Sequence, residues 1–387
     1  MPELATAALW RTVYMNTAQV GPLADLPYSK YTHFIILDMA CTNGNLAPGA
    51  WYAPEDAATL VSNAHAAGTK VLAYIGPGDM ASCTESEQID AFVAQIKDFI
   101  SGNDAVLNPS NTVFDGIDLD WEAGVDGKAP QYINLIQKLR TALGPTTTGF
   151  GPNTISLAVY GSPTFLAVTA ATHEQLDQIN LMTYDMANTS NGSGQLISWF
   201  NTALHSPKDD IHHNPLGIVS LVKYFVNRGH IPIGKLGIGL ASYGYLFSGC
   251  TQPEVAGCTI RGTVHNHDLM TDPRYGYPKT LTYDARYAAT YLSIPSTNEF
   301  VGIVDVDQIK AVVDWAKKNS VGGLMHFAMD GEYMPEAPGV DAQFPFSAAI
   351  YDAVTGATST RRQPEGNDPW NRLERHDSRR GGFARQY

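Results

Sequence analysis

The sequence has no long hydrophobic run, few charged residues and a shortage of basic ones. No apolar stretch approaches the roughly 20 residues that a membrane-spanning helix needs, so we expect no membrane partner. Only 16% of the residues are charged, and 38 Asp and Glu outnumber 25 Lys and Arg, which leaves a formal net charge of -13. Nucleic acids and anionic lipids both require clustered cations. The composition therefore argues against both and suits a neutral ligand.

Export signals and cysteines are scarce as well. The N-terminal residues contain neither a basic leader nor an apolar core long enough for a secretory signal, so the sequence does not assign a location. Of the four cysteines, Cys250 and Cys258 would close a short loop, while Cys41 and Cys83 follow two successive predicted strands. Their spacing matches no common zinc pattern. We favour two disulfides, with four free or buried thiols as the alternative.

Apolar runs rich in β-branched and aromatic residues alternate with stretches of helical periodicity along nearly the whole chain. The predicted strands are Thr12 to Asn16, Thr32 to Met39, Lys70 to Ile75, Val113 to Trp121, Ile155 to Tyr160, Gln178 to Tyr184, Lys235 to Ala241 and Gly323 to Phe327. The predicted helices are Pro54 to Ala67, Glu85 to Ile100, Gln131 to Leu143, His173 to Leu176, Gly194 to Leu204, Leu216 to Asn227 and Val306 to Lys318. Eight strands alternating with helices predict a (β/α)8 TIM barrel, for which 387 residues suffice with insertions, although two domains would also fit that length.

The fourth predicted strand alternates carboxylates with large apolar residues. In an extended chain Asp118, Asp120 and Glu122 would point to one side and the apolar side chains to the other. Burying three carboxylates costs several kcal/mol unless each finds a partner or shares a proton. Shared protons separate the pKa values and can leave the outermost carboxyl protonated near neutral pH. We therefore predict that Glu122 is a general acid; the alternative is a half-buried strand whose acids face water at a sheet edge.

These acids also carry a family resemblance. Asp115, Asp118, Asp120 and Glu122 match the DxxDxDxE signature of the family 18 glycoside hydrolases, the chitinase family. The resemblance implies an enzyme that cleaves β-1,4-linked N-acetylglucosamine polymers, either chitin or chitooligosaccharides. It implies retention of configuration, with the substrate's own acetamido group as the nucleophile, and neither a metal nor another cofactor.

The same resemblance implies a separate role for each acid. Glu122 would protonate the glycosidic oxygen and then activate water. Asp120, which shares a proton with Asp118, would orient the acetamido group as its carbonyl oxygen attacks the anomeric carbon. Asp115 would support the neighbouring loop and Asp118 rather than touch the substrate.

A second match lies at the end of the sixth predicted strand, where Met182-Thr183-Tyr184-Asp185 corresponds to the family's MxYD motif. By resemblance, Tyr184 is expected to hydrogen-bond the N-acetyl group, Asp185 to contact the same sugar and Met182 to line the pocket. Taken alone, a buried tyrosine beside an aspartate is more often a structural hydrogen bond.

Three further segments resemble the family with departures. Tyr243 matches the substrate-contacting tyrosine of KxxxGxxxYGR, but Tyr245 stands where arginine is usual. The segment from residue 73 to 78 matches SxGG only in part. The eighth strand follows GGxMxWxxD with Phe327 in place of the tryptophan that usually floors the sugar pocket, and alternation should turn His326 outward. Tyr14 and Trp121 complete the predicted substrate-binding residues.

Two regions depart from the barrel pattern. Residues 246 to 298 interrupt the alternation between the seventh strand and the last helix, and the resemblance implies a short α+β insertion there, with a long capping loop as the alternative. We assign residues 1 to 356 to the catalytic barrel. Residues 357 to 387 hold seven Arg and four acids with hardly any aliphatic residues, which predicts a disordered basic tail. Such a tail is usually a solvated terminus, but it could bind a protein partner.

Other functions remain open at this stage. An endo-β-N-acetylglucosaminidase acting on N-glycans would use the same chemistry, and a weakly active or non-catalytic chitin-binding lectin would share the fold. The third alternative is a component of a larger assembly, attached by its tail. Retention of Glu122 favours an enzyme over a lectin, and an activity on chitin favours an extracellular location.

Overall fold

The computed structural model describes residues 9–50, 52–187, 189–190, 196–207, 217–278 and 281–357. Within these ranges eight parallel strands form a closed barrel, because strand Trp10–Tyr14 pairs with both Gly323–Phe327 and His33–Thr42. The predicted (β/α)8 fold is therefore confirmed. The barrel strands are β1 Trp10–Tyr14, β2 His33–Thr42, β3 Lys70–Gly78, β4 Gly116–Leu119, β5 Thr154–Val159, β6 Gln178–Leu181, β7 Leu236–Ala241 and β8 Gly323–Phe327. A short strand, Asn45–Pro48, adds to β2 in antiparallel orientation.

The register of the central strands determines which side chains share a layer inside the barrel. Tyr74 on β3, Asp118 on β4 and Ser156 on β5 are successive Cα partners. Because side chains alternate along each strand, residues at one level of neighbouring strands point to the same side. Asp118 therefore faces the barrel interior, while Ile117 and Leu119 pack outward in the main hydrophobic core.

The helices cover the outside of the barrel. Helix Val306–Lys318 has the predicted bounds because the Asp305 carboxylate caps it, accepting the Gln308 N–H at 2.9 Å. The α-helices are Pro54–Ala66, Met80–Cys83, Ile89–Ile100, Ala129–Leu143, Pro163–Thr172, Ile218–Gly229, Asn266–Thr271, Val306–Lys318, Val340–Gln343 and Pro345–Thr355. The 3₁₀ helices are Thr17–Gln19, Leu23–Asp25, Tyr28–Lys30, Ile233–Lys235, Pro273–Tyr275 and Met329–Gly331.

Two predicted helices are wrong. The helix after β5 is Pro163–Thr172 rather than His173 to Leu176, and it begins where the Ser162 hydroxyl accepts the Phe165 N–H at 3.2 Å with proline in the first turn. The predicted helix Gly194 to Leu204 is irregular in its described part, apart from the short strand Leu196–Ile197, which pairs with Thr189–Ser190. Its backbone bonds to a distant loop instead: the Ser198 N–H donates to the Val255 carbonyl at 2.9 Å.

The segment after β7 forms a second, antiparallel sheet. Its order is Thr259–His265, Tyr243–Ser248, Glu299–Ile303, Ala289–Ile294, Leu281–Asp284, and helix Asn266–Thr271 joins it. The structure thus shows an α+β unit and not a long capping loop, and the sheet extends the expected range of 246 to 298 at both ends. This unit has its own apolar cluster, which includes Leu269, Leu292 and Val301.

Both expected cysteine pairs are bonded. The S–S distance is 2.03 Å for Cys41 and Cys83, and 2.06 Å for Cys250 and Cys258. The first bond joins the end of β2 to the short helix Met80–Cys83 that follows β3. The second closes the loop whose backbone pairs with Ser198.

Residues 358–387, which hold almost all of the expected basic tail, lie outside the described residues. None of the helices in the described ranges has the length and apolarity to cross a membrane.

The two disulfides are expected to differ in their contribution to stability. The Cys41 and Cys83 pair spans 42 residues and the Cys250 and Cys258 pair spans 8. Loop-closure entropy then predicts a loss in unfolding free energy of about 4 kcal/mol for the double alanine variant of the first pair and about 2.5 kcal/mol for that of the second. Denaturant unfolding of both variants measures the difference. Equal losses, or the reverse order, would contradict the assignment.

Candidate active site

A cleft of about 480 Å³ lies at the C-terminal ends of the barrel strands, where barrels of this kind carry their functional groups. Carboxyl and aromatic side chains dominate its walls, and lysine and arginine are absent from the lining contributed by the described residues. The lining residues are Tyr14, Met15, Asn16, Gln19, Ile35, Ile36, Asp38, Tyr74, Asp120, Glu122, Met182, Tyr184, Asp185, Tyr243, His265, Phe327, Ala328 and Asp330.

Asp118 forms the buried base of the carboxyl row. It is fully buried, and its two oxygens accept hydrogen bonds from the Tyr14 hydroxyl at 2.6 Å and the Ser156 hydroxyl at 2.5 Å. Burial raises the pKa of Asp118 to about 7, although the two hydrogen bonds act in the opposite direction. Near neutral pH this carboxyl is therefore able to hold or release a proton.

Asp120 lies one step outward and lines the cleft. Only 7% of it is exposed, and burial together with the charges of Glu122 and Asp118 raises its pKa well above the usual value. Tyr74 hydrogen-bonds to it, which opposes that rise. Within the described part of the chain, the buried oxygen Oδ1 has no hydrogen-bond partner. A buried acceptor without a partner costs about 1–3 kcal/mol, so this oxygen is ready to bind a donor from a ligand.

Glu122 stands at the mouth of the cleft, with its side chain partly open to solvent. Burial by the surrounding protein raises its pKa, and the negative charge of Asp185 raises it further. The row thus runs from a fully buried carboxyl to a solvent-accessible one. Both effects favour a protonated Glu122, which is the state that a general acid requires.

Asp115 belongs to the opposite end of the strand. Its carboxylate accepts hydrogen bonds from the backbone N–H groups of Val71 and Gly151, at 2.8 and 2.9 Å, and contacts His65 Nε2 at 2.8 Å. These contacts tie loops and helix ends together below β4. The expected support of a loop is seen, but it is a loop distant from the cleft, and none of these bonds reaches Asp118.

The MxYD segment meets the end of β7 above the barrel. The Tyr243 hydroxyl donates to Asp185 Oδ1 at 2.6 Å, and Tyr245 also hydrogen-bonds to the Asp185 carboxylate. A neutral hydroxyl therefore occupies the position where the family motif has arginine. Asp185 itself has a φ of 59°, a left-handed conformation that is uncommon for residues other than glycine.

Phe327 lies at the centre of an aromatic cluster in the cleft. Its ring is stacked on Tyr184, with centroids 5.7 Å apart, and meets the edges of Tyr14 and Tyr243 at 5.5 and 6.4 Å. Such a surface offers apolar faces to the C–H bonds of a sugar. His326 points away from the cleft, as expected from strand alternation: it stacks on Phe346 at 4.5 Å and bonds to the Tyr31 hydroxyl at 2.8 Å.

Trp121 is a correction to the predicted substrate-binding residues. It is 1% exposed, packs against Tyr132 with centroids 5.2 Å apart and donates from Nε1 to the Ala123 carbonyl. Strand alternation turns it away from the carboxyl row, so it cannot contact a ligand in the cleft. Tyr14 does line the cleft, but its hydroxyl is engaged by Asp118.

Three residues that sequence reasoning did not identify complete the arrangement: Tyr74, Ser156 and Asn201. Tyr74 and Ser156 lie on the strands beside Asp118, and a correct strand register would have shown both. Asn201 bonds to the backbone of Asp185 and of Tyr243, at 2.9 and 2.7 Å. No sequence signal identified Asn201, because its segment has helical periodicity but is not a helix.

The described residues contain no group of three or more His, Cys, Asp or Glu side chains arranged to hold a metal ion. The cleft combines carboxyl groups of raised pKa with an aromatic wall. Carboxyl groups at the strand ends of a (β/α)8 barrel are groups that glycoside hydrolases use, so the site points to that class of protein.

Comparison with known proteins agrees. The model of the family "Glycosyl hydrolases family 18" matches residues 11–332. Chitinase A1 of Niallia circulans is 28% identical over 253 residues, which cover 57% of this chain and 35% of that protein. The chitinase of Autographa californica nuclear polyhedrosis virus is 24% identical over 287 residues, which cover 67% of this chain and 49% of that protein. This chain therefore belongs to glycosyl hydrolase family 18.

A solved structure shows the same fold. Catalytic domain 2 of the Group II chitinase of Ostrinia furnacalis superposes with a TM-score of 0.72 at 19% identity, over 90% of this chain and 97% of that one. The first curated relatives are longer than the part matched here, since this chain spans between a third and half of their length.

The raised pKa of Asp118 predicts a pH-dependent cost to stability. The folded-state pKa of about 7 lies above the ordinary value of 3.8, so the folded protein binds more protons between these values and its unfolding free energy falls as pH rises through that window. Asp118→Asn removes this titration while keeping the side chain's shape. Relative to the wild type, the variant should gain on the order of 2–4 kcal/mol of unfolding free energy between pH 4 and 8.

Denaturant unfolding across this pH range provides the measurement. The surface change Asp98→Asn on helix Ile89–Ile100 is the control and should show no such trend. A stability difference between Asp118→Asn and the wild type that stays constant with pH would contradict the raised pKa.

Proposed function

We propose that the protein hydrolyses β-1,4 bonds in chitin or chitooligosaccharides with retention of configuration, using the acetamido group of the substrate as the nucleophile. The observation that carries this proposal is the graded carboxyl row, which places a fully buried Asp118 and a nearly buried Asp120 behind an accessible Glu122. The chitinase names of the curated relatives support the substrate class. A variant of the Ostrinia furnacalis domain was solved in complex with penta-N-acetylchitooctaose, which also agrees.

Glu122 is proposed to transfer the proton to the leaving sugar. Its raised pKa keeps a proton available near neutral pH, and its position at the cleft mouth lets the glycosidic oxygen approach. Once the leaving sugar has accepted this proton, the resulting carboxylate removes a proton from water for the second step. The same residue thus serves as acid and then as base.

Asp120 is proposed to hold the acetamido group. Its unpartnered oxygen can accept the amide N–H, which directs the acetamido carbonyl oxygen toward the anomeric carbon. As positive charge develops on the ring formed by this attack, a negatively charged Asp120 stabilises it. Asp118 can take up the proton that Asp120 gives away, because its own pKa lies near 7.

The aromatic cluster is proposed to bind the sugar whose bond is cleaved. Among the described residues, the hydrogen-bond partner of the Tyr184 hydroxyl is the Met325 sulfur at 3.8 Å, so the hydroxyl can turn to a stronger acceptor such as the acetamido oxygen. Phe327 offers its ring face to the sugar, with less area than a tryptophan. Met182, Asp185 and Tyr243 line the same space. This aromatic surface, which binds the faces of rings, fits an uncharged polysaccharide.

Glu122→Gln should abolish hydrolysis while preserving ligand binding. The amide keeps the size of the side chain but cannot donate the required proton, and loss of general acid catalysis costs about 10²- to 10⁴-fold. Turnover of N-acetylglucosamine oligomers measures the first effect and calorimetry the second. The same change on the surface, Glu87→Gln, is the control. Undiminished turnover by Glu122→Gln would overturn the assignment.

Cleavage should require an N-acetyl group on the sugar that supplies the anomeric carbon. Fully deacetylated oligomers lack the internal nucleophile and are expected to remain intact. Proton NMR of the fresh products should show the β-anomer, because two displacements retain the configuration. Release of the α-anomer first, or efficient cleavage of deacetylated oligomers, would contradict the proposed mechanism.

Parallel assays on chitooligosaccharides and on an N-glycan separate the proposed substrate from the alternative one. Product sizes from defined oligomers show which bond is preferred. Ligand binding without hydrolysis of either substrate would assign the protein as a lectin instead.

A further inference from the structure

We propose that Asn201 is a positioning residue of this site: its side chain holds Asp185 and Tyr243 in the arrangement that places the Asp185 carboxylate beside Glu122. This inference deepens the proposed function and rests on it for the kinetic part of the test. Asn201 follows β6 in the irregular segment described above and lies outside the motifs that resemble the family.

Asn201 makes three hydrogen bonds to two backbone segments, and a fourth bond joins these segments to each other. Its Oδ1 accepts the backbone N–H of Asp185 at 2.9 Å, and its Nδ2 donates to the backbone carbonyl of Tyr243 at 2.7 Å. Its own carbonyl accepts the N–H of Met186 at 3.1 Å. The Tyr243 hydroxyl then donates to Asp185 Oδ1 at 2.6 Å. One amide thus joins two backbones whose side chains are bonded to each other.

Water cannot take the place of the Asn201 side chain, and the Asn201 segment cannot shift, because both are closely packed. The residue is fully buried. Its backbone also lies against Gly302 of the second sheet, where a Cβ would come within 2.8 Å of the Asn201 nitrogen. The amide is therefore held between the barrel and this sheet. The position of Asp185, which is bonded to the amide, thus depends on how the two are packed.

The conformation of Asp185 requires such an anchor. A φ of 59° is disfavoured for residues with a side chain and persists only where neighbours hold it. Without the Asn201 acceptor, the Asp185 N–H loses its partner and the residue is free to relax toward an ordinary backbone conformation. Its carboxylate would then move away from the cleft.

The consequence for Glu122 is electrostatic. The charge of Asp185 raises the pKa of Glu122, so displacement of that charge lowers it. The other titratable groups around the two carboxyls are Asp38, Asp118, Asp120, Asp330, Tyr74, Tyr132, Tyr160, Tyr184, Tyr243, Tyr245 and His265. Burial raises the pKa of each of these tyrosines, so they stay neutral over the working range. The aspartates and His265 are present unchanged in both the variant and its control.

The test compares Asn201→Ala with Asn108→Ala. Asn108 is 2% exposed and makes the same kind of side-chain bonds to backbone, to the carbonyls of Phe99 and Thr112 at 2.8 and 2.7 Å, but none of its partners lines the cleft. Asn201→Ala should lower kcat/KM on chitooligosaccharides about 10- to 100-fold. It should also shift the upper limb of the pH profile to lower pH, since that limb reports the general acid. Asn108→Ala should leave both unchanged below its unfolding temperature.

A double-mutant cycle tests the coupling directly. Tyr243→Phe removes the hydroxyl bond to Asp185, so its effect on kcat/KM should be much smaller in the Asn201→Ala background than in the wild type. In the Asn108→Ala background the effect should be undiminished. If Asn201→Ala does not fold, Asn201→Ser replaces it under the same criteria.

Carbon-13 NMR titration of the Glu122 carboxyl, assigned with Glu122→Gln, measures the pKa without relying on turnover. A wild type that does not cleave chitooligosaccharides would overturn the proposed function, whereas the NMR titration still judges the role of Asn201. The inference is overturned if the Glu122 titration and the pH profile of the Asn201 variant match those of Asn108→Ala, or if the Tyr243→Phe effect is undiminished.

Discussion

The burial of acidic side chains is the constraint on which the site depends. Asp118 has no access to solvent, so its charge must be matched by hydrogen bonds or neutralised by a proton, and the two hydroxyls of Tyr14 and Ser156 supply the bonds. Since those hydroxyls come from β1 and β5, the closed barrel is needed to bring them together. The same burial raises the pKa of Asp118 to about 7. The burial that costs stability therefore also allows this carboxyl to exchange a proton near neutral pH.

The barrel and the second sheet both contribute side chains that surround the carboxyl row. Aromatic rings from β1, β6 and β8 form the wall that would face a sugar. Tyr243 and Tyr245 lie on strand Tyr243–Ser248 of the second sheet, and both hydrogen-bond to Asp185. Tyr245 occupies the position where the family motif has an arginine. Among the described residues, no lysine or arginine lines the cleft beside Asp185, and the negative charge of Asp185 raises the pKa of Glu122. A tyrosine in place of the arginine thus adds no positive charge near Glu122, the proposed general acid.

Sequence reasoning succeeded where local pattern and tertiary structure agree. All eight barrel strands were predicted, because buried parallel strands produce short runs of β-branched and aromatic residues between amphipathic helices. It failed at residues 196 to 204, the described part of a predicted helix, where backbone bonds to the loop closed by Cys250 and Cys258 replace those of a helix. It also misplaced the helix after β5. The Ser162 cap and the following proline mark the start of this helix, whereas apolar periodicity does not.

The sequence by itself determined the alternation of strands and helices, the carboxyl row and the family, because each is written in the spacing of neighbouring residues. Only the tertiary structure decided which groups surround that row. Tyr14, Tyr74 and Ser156 come from other strands, and their approach to Asp118 and Asp120 depends on strand register. Trp121 faces the core and Asn201 joins two distant backbones. Such contacts are set by the packing of segments far apart in the chain, which no local pattern encodes.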